Sequence, residues 1–393
     1  MTPRKFEGNW LLRGDALAGL RELQHRSQLV DMIYIDPPYN TGNAFAYHDR
    51  RDAAQWVAMM RERLLAAREV MASDALLFIS IDFNELSNLK NLCDEVFGAE
   101  NLVANFVWVS NLKGRQLGAG PAGTHEYILT YARDARQVGR LTAPISQLTT
   151  LMPAVYHLPK REVKRDELGE YVTKNELYNT NSKFNEQTSP SLVFAIHYHP
   201  GSGKVAVTDI DEPAPGSDWV TALPHPNARP GLRWHAWRWS RARVVSDCAN
   251  LEFVVQDSRH TPRLRIYTKV RDFATTAVKD LIMGPALCTR AGQLELQRLG
   301  LGGIFETPKP TDLLRLLIDS ATDPGDTVLD FFAGSGSTGA AAARHGRNFI
   351  LIQTEEPFAA GAAQGLKTIA DLTAERLRRD GIEFRQIRIT DGN

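Results

Sequence analysis

The pattern of apolar and polar positions divides the chain into two textures. From Asn9 to about Ser110, short apolar runs alternate with segments in which apolar residues recur at helical spacing. LLRGDALAGLREL predicts a short strand, a turn at Gly14-Asp15 and a helix, and VDMIYI (Val30 to Ile35) predicts a strand. In RDAAQWVAMMRERLLAAREVM, the residues Trp56, Met59, Met60, Leu64, Ala67 and Val70 share one helical face. ALLFISID is apolar almost throughout, as a strand covered on both faces requires. NELSNLKNLCDEVFG predicts a helix stopped at Gly98, and LVANFVWV a further strand. Such alternation builds a parallel-rich sheet flanked by helices.

From about Asn111 to Gly300, proline, glycine and polar residues punctuate short segments. LVFAIHYHPGSGKVAVTDI predicts a hairpin turning at Gly201-Ser202-Gly203. The alternation resumes after Leu301. TDLLRLLIDSAT predicts a helix, and DTVLDFFAGSGSTGAAAARHGRNFILIQTEE a strand, glycine loop, helix and strand. IADLTAERLRRDG predicts another helix and EFRQIRI a closing strand. One α/β domain is therefore expected from the two ends of the chain, 1–110 and 301–393, interrupted by an irregular region at 111–300.

Composition changes this picture little. A chain of 393 residues, 43% hydrophobic and 23% charged, is an ordinary globular protein of one large or two medium domains. The formal net charge is zero, so any attraction to a polyanion has to be local. No apolar run approaches membrane-spanning length, and the start, MTPRKFEGNWLLRGD, lacks the apolar core of a signal peptide. Cys93, Cys248 and Cys288 lie far apart without a CxxC pair, which argues for a reducing, cytoplasmic setting and against zinc or disulfides. The spacing of His197, His199, His235 and His260 fits no ligand pattern, so no metal is expected.

Two stretches carry candidate chemistry. In VDMIYIDPPYNTG, the prolines end a strand abruptly, because neither ring nitrogen carries a ladder hydrogen. The residue before a proline is held extended. Asp36 and Tyr39 are thus expected to be rigidly placed where a central strand opens, the position at which open α/β sheets bind ligands. A plain strand-ending turn explains Pro37-Pro38 but neither the acid before them nor the aromatic after. The second stretch places Gly334, Gly336 and Gly339 as G-x-G-x-x-G between the strand TVLDFF and a helix. Glu355 follows the first glycine by about twenty residues, where an acid takes a ribose hydroxyl. That loop implies a nucleoside ligand without saying which; no GK[ST] follows, so Walker-type phosphate binding is excluded.

Taken in order, GDAL (Gly14 to Leu17), DPPY (Asp36 to Tyr39), FISID, DEVFGAEN, HEYILTYAR, WRWS, FETPKP (Phe305 to Pro310), DFFAGSGSTG (Asp330 to Gly339) and FILIQTEEP define a resemblance. The chain resembles S-adenosylmethionine-dependent DNA amino-methyltransferases of the circularly permuted beta class, and most nearly the modification subunits of type III restriction–modification systems. The likeness covers both ends well and the middle thinly. It implies an α/β fold: a Rossmann-like domain with a mixed, mostly parallel sheet and an inserted α+β target-recognition region. Asp330, Phe331, Phe332, Ala333, Gly334, Ser335 and Gly336 would line the methionine end of the cofactor. Pro308, Lys309 and Pro310 would close that pocket, and Asp15, Ala16 and Leu17 would lie near the adenine. Asp36, Pro37, Pro38 and Tyr39 would hold the target base, with Asp36 also bordering the cofactor. Many relatives place an acid on the ribose where this chain has Gln353, so Gln353, Glu355 or Glu356 is expected there. Asp rather than Ser at the head of DPPY implies adenine N6 over cytosine N4.

ARPGLRWHAWRWSRAR interleaves Arg229, Arg233, Arg238, Arg241 and Arg243 with Trp234, Trp237 and Trp239 and contains no acid, as expected of a segment that reads double-stranded DNA. One or two of these tryptophans are expected to be core. RLRIYTKVR (Arg263 to Arg271) is a second basic, strand-like segment. The resemblance further implies a homodimer and, for any cleavage, a separate restriction subunit. The alternatives are a cytosine N4-methyltransferase and an inactive DNA-binding specificity subunit, with a nicotinamide oxidoreductase a distant third.

Overall fold

The computed structural model describes residues 4–40, 52–114, 120–156, 162–256 and 263–390. The end of the DPPYNTG stretch at Thr41-Gly42, His260 and the first three residues lie outside them. The chain divides into two compact units, one formed by 1–158 with 275–393 and the other by 159–274.

Among the described residues, the first unit is built on a nine-stranded sheet. The first half contributes β1 (Trp10–Arg13), α1 (Ala16–His25), β2 (Val30–Ile35), α2 (Ala53–Val70), β3 (Met71–Ile81), α3 (Leu86–Phe97), β4 (Leu102–Trp108) and β5 (Glu126–Ala132). The later part contributes β6 (Leu281–Ile282), α4 (Thr289–Arg298), α5 (Thr311–Ala321), β7 (Thr327–Asp330), α6 (Ser337–Arg344), β8 (Asn348–Gln353), α7 (Ile369–Arg379) and β9 (Arg385–Arg388). The strand order is β6-β4-β5-β3-β2-β7-β8-β1-β9. Only β5 runs antiparallel to its neighbours, so the sheet is mixed and mostly parallel. The apolar runs of β2 and β3 fit this burial: Ile33 and Ile35 face one core with Trp56, Met60 and Leu64 of α2, while Met32 and Tyr34 face the other with Leu313, Leu317 and the alanines of α6. EFRQIRI supplies the edge strand β9, beside β1.

β5 and β6 lie within 111–300 yet belong to the sheet of the first unit, and the second unit is narrower than that range. The reason is that polar and glycine-rich sequence without helical spacing flanks β5, so no βα rhythm marks it. Its antiparallel entry between β3 and β4 needs no crossover helix.

The second unit is α+β. Lys164–Asp166, Gly169–Glu176, Arg263–Val270 and Leu251–Gln256 form a four-stranded antiparallel sheet, and Ala195–Tyr198 pairs antiparallel with Val205–Thr208 and Val220–Ala222. Its core gathers Leu177, Phe194, Ile196, Val244, Leu264 and Ile266 around Trp237. The Trp237 indole donates to the Phe194 carbonyl at 2.8 Å, so this tryptophan is structural. Among the described residues no helix is long and apolar enough to cross a membrane.

Candidate active site

β2 and β7 are parallel neighbours, and their carboxyl ends open on one pocket. Asp36 and Pro38 line it from the turn after β2, and Asp330, Phe331, Phe332, Ala333, Gly334 and Ser335 from β7 and the loop after it. Pro308 and Lys309 line it ahead of α5. Residues far apart in sequence thus meet at the point where a parallel sheet binds ligands.

The DPPY turn is held from several sides. The Trp56 indole donates to the Pro38 carbonyl at 2.7 Å. The Lys309 ammonium, 8% exposed, donates to both Asp36 oxygens at 2.7 Å and to the Tyr39 hydroxyl at 3.0 Å. Tyr39 in turn donates to Glu126 at 2.9 Å, and Glu126 lies 3.9 Å from Lys309. Burial, with Asp36 and Glu126 close by, pushes the Tyr39 phenol well above its ordinary pKa, so it stays a donor. Two carboxylates thus flank one ammonium, and the charge of each offsets the cost of burying the other. Pro37 and Tyr39 stand outside the pocket wall, Tyr39 bonded to Lys309.

The glycine loop is pinned by buried polar groups. Asp330, 2% exposed, accepts from the Phe332 amide at 2.9 Å and from the Thr338 hydroxyl at 2.6 Å. Burial raises its carboxyl to about 7, opposed by those two hydrogen bonds. Gly334 (φ +51°) and Gly336 (φ +79°) take the left-handed backbone that disfavours side chains. A Cβ on Gly334 would meet the Phe305 ring at 3.4 Å. The Gln353 side chain accepts from the Gly334 amide at 2.7 Å, and the Thr373 hydroxyl donates to the Gly334 carbonyl at 2.6 Å. Gly336 precedes α6 rather than lining the pocket, and Pro310 likewise caps α5.

A second buried pair joins the loop to the opposite wall. Arg376, 1% exposed on α7, donates to the Ser337 hydroxyl at 2.6 Å, to the Ser335 carbonyl at 3.3 Å and to Glu295 at 3.2 Å. Glu295, on α4, accepts from the Thr311 amide at 3.0 Å, just after Pro308-Lys309-Pro310. Burial lowers the Arg376 guanidinium to about 10 and raises the Glu295 carboxyl.

At the far end, Asp15 and Ala16 line the pocket with Arg63 and Met59 of α2. Asp15 accepts from the Leu17 amide at 2.8 Å and from Arg63 at 2.7 Å. Leu17 itself packs into the core. Of the three residues expected at the ribose, Gln353 lines the pocket but holds the loop, Glu356 lines it, and Glu355 is drawn out of it by Arg13 and Arg388 at 3.0 and 2.8 Å. Tyr34, Met59, Arg63, Phe305, Thr307 and Ile369 were not legible as site residues. Arg63 and Met59 sit on a helix whose sequence reads only as amphipathic.

In the second unit, Arg229, Arg233, Arg238 and Arg243 are exposed and Arg241 is half-buried. Arg238 donates to the Tyr178 carbonyl at 2.8 Å, Arg241 pairs with Asp209, and the Arg243 guanidinium lies 4.0 Å from the Trp239 ring centre. Arg233 lies over Trp234 at 5.2 Å.

Residues 30–364 match the model of the DNA methylase family of N6 and N4 methyltransferases, and the chain belongs to that family. It is similar to the EcoPI Mod subunit of a type III restriction-modification enzyme from Escherichia phage P1, at 31% identity over 95% of this chain and 62% of the relative. It is also similar to the type II methyltransferase M.KpnI of Klebsiella pneumoniae, at 26% identity over 96% of this chain and 88% of that one. The chain spans between about half and three fifths of the length of the type III Mod subunits it matches. The crystal structure of an M1.HpyAVI-SAM complex aligns with 94% of this chain and 98% of its own at 13% identity, with a TM-score of 0.42, a likeness too loose to carry an argument.

Two outcomes are expected. Arg376→Met leaves Glu295, largely shielded from water, without its charged partner and should cost about 3–5 kcal/mol in urea unfolding; a loss under about 1 kcal/mol would show that the pair does not hold the loop. Asp330 binds a proton in the fold up to about pH 7 but releases it near 3.8 when unfolded. Its contribution to stability is therefore fully present below pH 3.8 and lost as pH rises towards 7. Asp330→Asn, whose Oδ1 can accept from Phe332 and whose Nδ2 can donate to the Thr338 hydroxyl, should flatten the decline of the urea midpoint over that range; a variant whose midpoint declines as steeply as the parent's would refute the assignment.

Proposed function

We propose that the chain is a DNA methyltransferase that moves a methyl group from S-adenosylmethionine to the N6 amine of an adenine flipped out of double-stranded DNA. One observation carries the reading: Asp36 of the DPPY turn and the glycine loop after Asp330 line a single pocket. Family membership supports it.

The pocket suits this cofactor. Glycine backbone at 334 leaves room against Phe305, the Phe332 ring gives an apolar wall, and Asp15, Asp36 and Glu356 place carboxylates in the wall beside Arg63 and Lys309. Phe332, Ala333, Gly334 and Ser335, with Pro308 and Lys309, hold the methionine end; Asp15 and Ala16 hold the adenine end, and Glu356 is best placed for the ribose. When bound, the cofactor supplies a methyl group on a sulfonium, a good leaving group.

The chain's own residues prepare the acceptor. An exocyclic amine is a weak nucleophile because its lone pair is delocalised into the ring. Asp36 accepts one N–H and the Pro37 carbonyl the other, which makes the nitrogen more tetrahedral and frees the pair. Lys309 occupies one site on each Asp36 oxygen, and a carboxylate offers about four, so room remains for the amine. Tyr39, locked by Glu126 and Lys309, presents its ring for the base to stack on. The amine nitrogen, held by Asp36 and the Pro37 carbonyl, would take the methyl group that the bound cofactor supplies on its sulfonium, which keeps the S–C electron pair, and one amine proton would pass to water. Placement and electrostatics supply most of the acceleration. A base within a duplex is out of reach, so it must be flipped.

The second unit, with its five arginines, is proposed to contact the DNA. A homodimer and a separate restriction subunit are proposed as partners, in a reducing, cytoplasmic setting.

Asp36→Ala should reduce methyl transfer by about a hundred- to a thousandfold, the usual cost of one preorganised electrostatic contact. Cofactor affinity by calorimetry should change far less. Lys309→Met should lower transfer as well, because Asp36 loses its partner. The assay is tritiated methyl transfer to duplex DNA with product analysis. Near-normal transfer by the alanine variant would reduce DPPY to a strand-ending turn, and N4-methylcytosine as product would replace adenine with cytosine in the reading.

A further inference from the structure

One side chain at the mouth of the DPPY turn has no part in the reaction above. Phe83 is 78% exposed, the most exposed large hydrophobic residue among those described. Single apolar residues in water are common on protein surfaces, so exposure alone means little. Its place and mounting distinguish it.

β3 is the parallel neighbour of β2, with Ile79 opposite Ile35. The segment after β3 therefore leaves the sheet beside the turn after β2. That segment is braced along its length. Ile81 ahead of it is fully buried, and Glu85 behind it is 4% exposed. Asp82 accepts from the Asn84 amide at 3.0 Å and from the Asn84 side chain at 2.8 Å. Glu85 accepts from Asn88 at 2.7 Å and from Asn40 at 2.8 Å. Asn40 directly follows Tyr39 and takes φ +58°, one of two described non-glycine residues with positive φ. Its bond to Glu85 ties the Phe83 segment to the proposed catalytic turn. The backbone that carries this exposed phenyl ring is thus braced next to the turn that follows β2.

We propose that Phe83 is the wedge that holds the duplex open: its ring enters the base stack next to the target nucleotide and fills the space the base vacates on its way to Asp36 and Tyr39. This rests on the DNA methyltransferase reading and adds the residue that acts on the duplex rather than on the amine. Apolar side chains inserted between base steps unstack them, and an aromatic face replaces the lost stacking. A polar side chain in the same position would offer neither.

The test uses the full chain and a synthetic duplex carrying a site found methylated in a host that expresses it. Phe83→Ala should lower methyl transfer on the paired duplex by on the order of ten- to a hundredfold, the worth of one base–aromatic stack. Most of the loss should be recovered when the target adenine faces an abasic site, because the base is then already loose. Phe83→Trp should stay near the parent, and cofactor affinity should be unchanged in both variants. Leu29→Ala, at a residue 52% exposed before the opposite end of β2, should have no effect. Equal transfer by Phe83→Ala on the paired duplex overturns the wedge, and so does an equal loss on the abasic duplex. If the parent itself methylates no DNA, the methyltransferase reading fails first and the wedge with it, an outcome distinct from active parent and active variant.

Discussion

The contact on which the site depends is the one between Lys309 and Asp36, which joins residues 273 positions apart. Neither group is cheap to bury alone, and each makes the other tolerable. Because Lys309 lies just ahead of α5 and Asp36 just after β2, the pair brings a late segment of the chain against an early one. Tyr39 and Glu126 complete the cluster, so the turn after β2, the start of β5 and the approach to α5 are fixed together. A side chain named for the cofactor wall by family likeness turns out to be bonded to the acid proposed to orient the amine.

The opposite wall uses the same device with different residues. Arg376 spans from the glycine loop to Glu295, which accepts from the first amide of α5. The loop itself is stapled by Asp330 and Gln353. Both ends of the Pro308-Lys309-Pro310 segment are thus tied through buried charge, one to the turn after β2 and one to the loop after β7. Buried pairs of this kind add little net stability, but breaking one is costly, which suits a pocket whose walls come from separate parts of the chain.

The division of labour across the sheet follows from topology. β7, β8 and β1 carry the pocket's glycine loop, Gln353 and Asp15; β2 carries the acid; β3, on the far side of β2, leads to Phe83. The cofactor proposed beyond β7 and the duplex proposed beyond β3 would meet at β2 without competing for one edge.

Sequence alone determined the alternating elements, the parallel-rich sheet expected from the two ends of the chain, and the two motifs that meet in the pocket. These are local properties: apolar period, proline pairs that stop a strand, glycines that permit a left-handed turn. Sequence was silent on β5 as a central strand, on Arg63 and Met59 in the pocket wall, and on the Arg376–Glu295 tie. It left Gln353, Glu355 and Glu356 undecided; in the fold Glu355 pairs with Arg13 and Arg388, and Gln353 accepts from the Gly334 amide. These features depend on which charges become neighbours once the sheet has closed. No residue pattern along the chain encodes that, because the partners are brought together by burial rather than by spacing.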